Sequence, residues 1–187
     1  MDIKEIKKVV LEKYKGKKRK QGTPAIFHPL GVAQILKEKG FSIDYQIAGL
    51  LHDMVEDMGV TRQEILNWSN EEIAEAVNLV TKEDNYDEQE YHDRIMKNKM
   101  AKMVKLADRL YNVRDAKNAN CIEFQRKYIK ETEDWYLSMG KGTCFEDELN
   151  RALKELKNCV NKKEIKRIVE MRKQGEKVGI KDCNFER

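Results

Sequence analysis

Wherever this 187-residue chain turns apolar, it does so at the three- and four-residue spacing of an α-helix. Ile3, Ile6, Val9, Val10 and Tyr14 mark a first amphipathic helix. The period-two alternation that a half-buried strand requires is absent, so the expected class is all-α. Pro29 suits the first turn of a second helix, which runs toward Lys39 and stops at Gly40. Asp44 is placed to cap the next. Thr61, with Glu64 three residues on, forms a capping-box signature for another. Residues 83–87 read as a polar loop. Further helices are expected over 87–97, 101–114, 122–138 and 145–160, then a charged periodic segment over 162–173 and a tail over 175–187 with little to bury.

At two places the apolar helical pattern is interrupted by ionisable groups. In Leu50-Leu51-His52-Asp53-Met54-Val55-Glu56-Asp57, a His-Asp doublet sits beside the core-facing Ile47, Leu50, Leu51 and Val55. His52 and Glu56 are four apart, as are Asp53 and Asp57, which puts each pair on one side of a helix, one turn apart. A lone His-Asp pair is usually a surface or capping pair. Two distant segments shift the balance. In Val104-Lys105-Leu106-Ala107-Asp108-Arg109-Leu110-Tyr111-Asn112, an acid falls within a face formed by Val104, Ala107, Leu110 and Tyr111, and an aspartate buried there requires a cation. In Gly22-Thr23-Pro24-Ala25-Ile26-Phe27-His28-Pro29, a histidine precedes the first turn of a helix. His28, His52, Asp53 and Asp108 together supply two imidazoles and two carboxylates, a set that suits manganese, iron, zinc or magnesium. On a six-coordinate ion they leave room for water and a substrate oxygen, and a divalent ion makes water acidic enough to give hydroxide near neutral pH. Glu56 and Asp57, one turn away, are placed to orient that water or carry its proton.

With these residues in place, the chain resembles the HD superfamily of metal-dependent phosphohydrolases, whose pattern is a His, then His-Asp, then a later Asp. More narrowly it resembles the hydrolase domain of the Rel/Spo alarmone enzymes and the small alarmone hydrolases. Arg19-Lys20, the Gly22–Pro29 segment, Leu-Leu-His-Asp-x-Val-Glu-Asp at 50–57 and Val-Lys-Leu-Ala-Asp-x-x-x-Asn at 104–112 follow that family's order, over about the first two-thirds of the chain. The resemblance implies a single-domain HD-type helical bundle with its metal site in a core cleft, spanning 1–160, and a charged, weakly packed extension over 161–187. It implies metal binding by His28, His52, Asp53 and Asp108, with Mn2+ as the ion, and Glu56 and Asp57 as the catalytic acids. It implies nucleotide contacts from Arg19, Lys20 and Asn112, the Arg19 guanidinium stacking on the purine. The implied reaction removes pyrophosphate from the 3′ position of guanosine tetra- or pentaphosphate. One departure is Ala25, where relatives often carry an aromatic residue. A wider base pocket there keeps open a phosphohydrolase of another nucleotide, such as a nucleoside monophosphate or NADPH. A nucleotide-sensing module without turnover is a third reading, against which the intact Glu56-Asp57 pair argues.

Composition agrees with an intracellular helical enzyme of one domain. Charged residues make up 37% and aromatics 7%, and no apolar run nears the roughly 18 residues of a membrane span. Met1 to Glu5 lacks a secretory apolar block. Cys121, Cys144, Cys159 and Cys183 have no paired spacing, which indicates neither zinc knuckle nor redox dithiol and fits a cytoplasmic location. The net charge of +4 is modest, yet Lys13, Lys15, Lys17, Lys18, Arg19 and Lys20 crowd one stretch. Because that run leads into the His28 segment, it reads as a rim attracting a polyphosphate rather than a nucleic-acid patch. Gly140-Lys141-Gly142-Thr143 reads as a helix-ending turn, since Trp135 stands where a phosphate loop needs glycine. His92 reads as a surface residue, and Arg94 and Lys97 as solvated helix cations.

Overall fold

Residues 1–19 and 22–173 are described in a computed structural model of the chain. They are helical, with no strand among the described residues and an antiparallel bridge between Lys18 and Pro24. The chain divides into two compact units, Met1–Tyr111 and Asn112–Arg187.

In the first unit, α1 (Ile3–Lys13) begins at a capping box: Asp2 accepts from the backbone of Lys4 and Glu5, and Glu5 accepts from the Asp2 amide. Helix α2 (Phe27–Glu38) carries Pro29 in its first turn and is followed by Gly40 at φ +77°. Helix α3 (Ile43–Leu51) starts after Ser42, not at Asp44. Asp44 lies inside the first turn, where its charge faces the positive end of the helix dipole, and so cannot cap the turn. Helices α2 and α3 pack closely because Gly49 has no side chain; a Cβ there would sit 2.8 Å from Leu36 Cδ1 and 3.3 Å from Val32 Cγ1. Leu36, Leu50 and Leu51 are wholly buried, each worth roughly 1.5–3 kcal/mol of hydrophobic stabilisation. Helix α3 also packs on α1 and α6 (Glu71–Val80). Between them come α4 (Met54–Met58), closed by Gly59 at φ +62°, and α5 (Arg62–Trp68). The Thr61–Glu64 capping box is formed as expected. Helix α7 (Glu88–Lys97) is capped by Asp87, and α8 (Lys99–Ala116) starts beside Asn98, whose side chain accepts from the Ala101 amide.

The second unit contains α9 (Ile122–Glu131), a π-helical turn (Thr132–Tyr136), α10 (Leu137–Gly140) and α11 (Glu146–Lys173). The helix expected over 122–138 thus contains a widened turn, where the Thr132 hydroxyl donates to the Tyr128 carbonyl. The segments expected over 145–160 and 162–173 are one continuous helix. Wholly buried Gln125 donates to the carbonyl of Ala116 at 2.8 Å and lies 3.3 Å from that of Ala119, closing the end of α8. Gly142, at φ +71°, and the Thr143–Gly140 hydrogen bond form the expected helix-ending turn. The tail over 175–187 lies outside the described residues. Among those described, no helix is long and apolar enough to cross a membrane.

Candidate metal centre

The His-Asp doublet does not lie within one continuous helix. Helix α3 ends at Leu51, α4 begins at Met54, and Asp53 between them leaves helical geometry at φ −101°, ψ 5°. On an unbroken helix, neighbouring side chains diverge by about 100°. The interruption lets His52 Nε2 and Asp53 Oδ1 approach to 3.1 Å. The Nδ1 of His52 lies 2.8 Å from the Gly49 carbonyl, which holds the proton on that nitrogen and turns Nε2 toward the cluster. From α2, His28 Nε2 lies 3.1 Å from His52 Nε2 and 3.0 Å from Asp53 Oδ2. From α8, Asp108 Oδ1 lies 3.3 Å from His28 Nε2 and 3.8 Å from His52 Nε2.

These separations fit a divalent ion. Ligand atoms about 2.1 Å from a common centre stand about 3.0 Å apart at right angles and about 3.4 Å apart on a tetrahedron. His28, His52 and Asp108 are buried, whereas Asp53 keeps about a fifth of its side chain exposed at 21%. Burial alone would raise both carboxyls, yet the facing imidazoles hold Asp53 well below the usual range, and Lys105 with the imidazoles does the same for Asp108. Burial would conversely lower His52, but Asp53 and Asp108 outweigh it and push this imidazole up to about 10; His28 is raised by the same acids. The acids and the imidazoles thus favour one another's charged forms.

The two following acids project from α4. Glu56 Oε1 accepts from the backbone amide of Lys82 at 2.5 Å, and Asp57 Oδ2 is 3.4 Å from the Tyr14 hydroxyl. Both residues are exposed overall, but their carboxyls are pushed up, by desolvation first and for Asp57 also by the charge of Asp53.

Of the three expected nucleotide contacts, Arg19 lies in the first unit, its guanidinium 5.7 Å from the centre of the Tyr111 ring. Lys20 lies outside the described residues. Asn112 follows Asp108 by one turn of α8 and is grouped with the second unit.

Sequence reasoning missed several polar groups. Lys105 is buried and pairs with Asp108 Oδ2 at 2.9 Å; its place three residues earlier on the same helix was the available signal. His92 is not a surface residue. It is buried beside Tyr91, 3.4 Å from Glu88, and burial with Lys82 and Lys105 nearby lowers it to about 4. Arg94 is half-buried and donates to the Thr81 carbonyl at 2.6 Å. Lys82, Arg94 and Lys105 stand 5.1, 5.3 and 5.8 Å from the centre of the buried Tyr91 ring.

A family model described as HD domain matches residues 8–141. The guanosine-3′,5′-bis(diphosphate) 3′-pyrophosphohydrolase MESH1 of Xenopus tropicalis is 36% identical over 140 residues, covering 70% of this chain and 78% of that protein. Its counterpart in Mus musculus is 32% identical over 154 residues, covering 77% and 86%. Among solved structures, a metazoan ortholog of SpoT described as hydrolysing ppGpp superposes with a TM-score of 0.69 at 24% identity, over 81% of this chain and 93% of that one; this likeness speaks for the fold. A Listeria monocytogenes structure superposes with a TM-score of 0.54 at 28% identity, over 69% and 97%.

Proposed function

Since the chain belongs to the HD-domain family and to the relatives of MESH1, we propose that it is a metal-dependent pyrophosphohydrolase removing the 3′-pyrophosphate of guanosine tetra- or pentaphosphate. The observation that carries this reading is the convergence of the His28, His52 and Asp108 ligand atoms within 4.8 Å, with Asp53 3.0 and 3.1 Å from the two imidazoles and two acids with raised carboxyls following on α4. His28, His52, Asp53 and Asp108 are the proposed ligands, and Mn2+ the proposed ion. When bound, a divalent ion supplies Lewis-acid polarisation of a phosphate oxygen and acidifies water.

The remaining chemistry belongs to the chain. The raised carboxyls of Glu56 and Asp57 suit them to take a proton from attacking water and to return one to the leaving group. The Lys82 amide holds Glu56 in place for this transfer. Arg19, Lys20 and Asn112 are the proposed nucleotide contacts. The basic run from Lys13 to Lys20 draws the polyphosphate in. Residues 1–160 form the proposed catalytic portion and 161–187 an extension. The reaction and the cysteine pattern fit a cytoplasmic setting.

Ala25, small where an aromatic would narrow a base pocket, favours a second reading in which another nucleotide is the preferred substrate. Metal analysis of the purified protein, then product identification with guanosine tetraphosphate and Mn2+, tests the proposal. Pyrophosphate in step with GDP is expected. Orthophosphate as the product, or faster turnover of a nucleoside monophosphate or NADPH, overturns the guanine assignment.

A further inference from the structure

The two histidines of the metal centre are held differently. His52 is oriented through Nδ1 by the Gly49 carbonyl, the usual arrangement for a metal-binding imidazole. His28 Nδ1 is buried and has no hydrogen-bond partner among the described residues. Beyond the Nε2 contacts to His52, Asp53 and Asp108, its ring orientation rests on packing, against His52 on one side and Tyr111 on another. Both contacts are edge-on, with ring centres 5.0 Å apart and interplanar angles of 61° and 68°.

Tyr111 is itself seated with little tolerance. An idealised Cβ on Gly31 would lie 2.1 Å from Tyr111 Cε2 and 2.4 Å from Cδ2. The ring thus occupies the place of a side chain at position 31, one turn along α2 from His28 on the same face. The guanidinium of Arg19 stands over that same ring, 5.7 Å from its centre. One aromatic ring therefore touches a proposed metal ligand and a proposed nucleotide contact.

We infer that Tyr111, seated on Gly31, is a positioning residue that sets the His28 imidazole and the Arg19 guanidinium in register, so that metal and guanine nucleotide are held by one shared ring. The half of this inference concerning Arg19 rests on the proposed function; the half concerning His28 rests only on the metal centre. The contacts that carry it, with Gly31, His28 and Arg19, are all made by the ring.

The test compares Tyr111→Leu, Tyr111→Phe and Gly31→Ala by Mn2+ calorimetry, by steady-state kinetics with guanosine tetraphosphate at saturating Mn2+, and by crystallography of the metal-free proteins. Loss of a group that orients a ligand weakens metal binding by roughly ten- to a hundredfold, and loss of a half-buried cation–π contact raises KM by at least roughly two- to fivefold. Tyr111→Leu is expected to show both, with His28 turned in the crystal. Gly31→Ala should behave likewise because it displaces the ring, and Tyr111→Phe should keep the parent affinity and KM. Parent-like Mn2+ binding and an unmoved His28 in Tyr111→Leu overturn the inference, as does a Tyr111→Phe protein as impaired as Tyr111→Leu. Mn2+ affinity and the His28 orientation are read without turnover. A parent protein that releases no pyrophosphate therefore sinks the proposed reaction and leaves this result standing, and if the parent takes up no Mn2+ the crystal orientation of His28 decides.

Discussion

Replacing Lys105 by methionine keeps most of the side-chain volume and removes the cation 2.9 Å from Asp108 Oδ2. The two side chains are 10% and 6% exposed, so solvent does little to screen the carboxylate left behind. Removing one partner of a buried ion pair costs about 3–5 kcal/mol, chiefly because the other charge stays buried. Here the other Asp108 oxygen still faces the His28 and His52 imidazoles, whose charged forms the same acids favour, so the low end, about 3 kcal/mol, is expected. At roughly 2–4 °C per kcal/mol, that lowers the metal-free melting temperature by about 6–12 °C. Mn2+ at a hundredfold excess over its Kd should restore about 2.7 kcal/mol. The folded variant should also bind Mn2+ at least as tightly as the parent, since a cation competing for Asp108 has gone. Urea melts with and without Mn2+, in a Trp135→Phe background so that Trp68 reports on the first unit, measure both effects. A metal-free loss below about 1 kcal/mol, or Mn2+ binding weakened more than about tenfold, would refute the reasoning.

Further outcomes follow from the same contacts. His52 is raised from 6.5 to about 10, so in the metal-free protein it contributes stability that is full below pH 6.5 and lost as pH rises through about 10. An ion must displace that proton, so Mn2+ affinity should climb about tenfold per pH unit between pH 6 and 8, and pH-independent calorimetry would contradict it. Glu56→Gln and Asp57→Asn should each lower kcat at least about a hundredfold while leaving Mn2+ and nucleotide binding intact; persistent turnover would remove their assigned role. With both carboxyls raised by desolvation, activity should fall with decreasing pH above the ordinary carboxylate range, as a kcat/KM profile will show. Gln125→Leu removes the donor that closes α8 and should destabilise the second unit by about 1–3 kcal/mol, read from Trp135 fluorescence in a Trp68→Phe background.

The helical class, the Thr61 capping box and the stop at Gly40 were legible because each depends on a few neighbouring residues. The approach of His28, His52 and Asp108 to one another was foreshadowed too, since an aspartate within an apolar face requires compensation wherever the chain goes. What escaped depended on distant packing. The break between α3 and α4 is invisible in Leu50–Asp57, whose apolar spacing continues smoothly through it. Ser42 displaced Asp44 as the helix start by a shift of two residues. His92 was misread because Tyr91 and Asp93 beside it in sequence carry no sign of burial, while in the structure it is buried edge-on against Tyr91. The Tyr111–Gly31 contact joins residues 80 positions apart and leaves no local mark.

The hold on Glu56 comes from the polypeptide itself, through the amide of Lys82. The donor is a main-chain group that every residue but proline carries, while the Lys82 side chain is engaged separately, over Tyr91 and beside Glu88. The acid is thus fastened to the chain 26 positions further on by a link that a change of side chain does not itself delete.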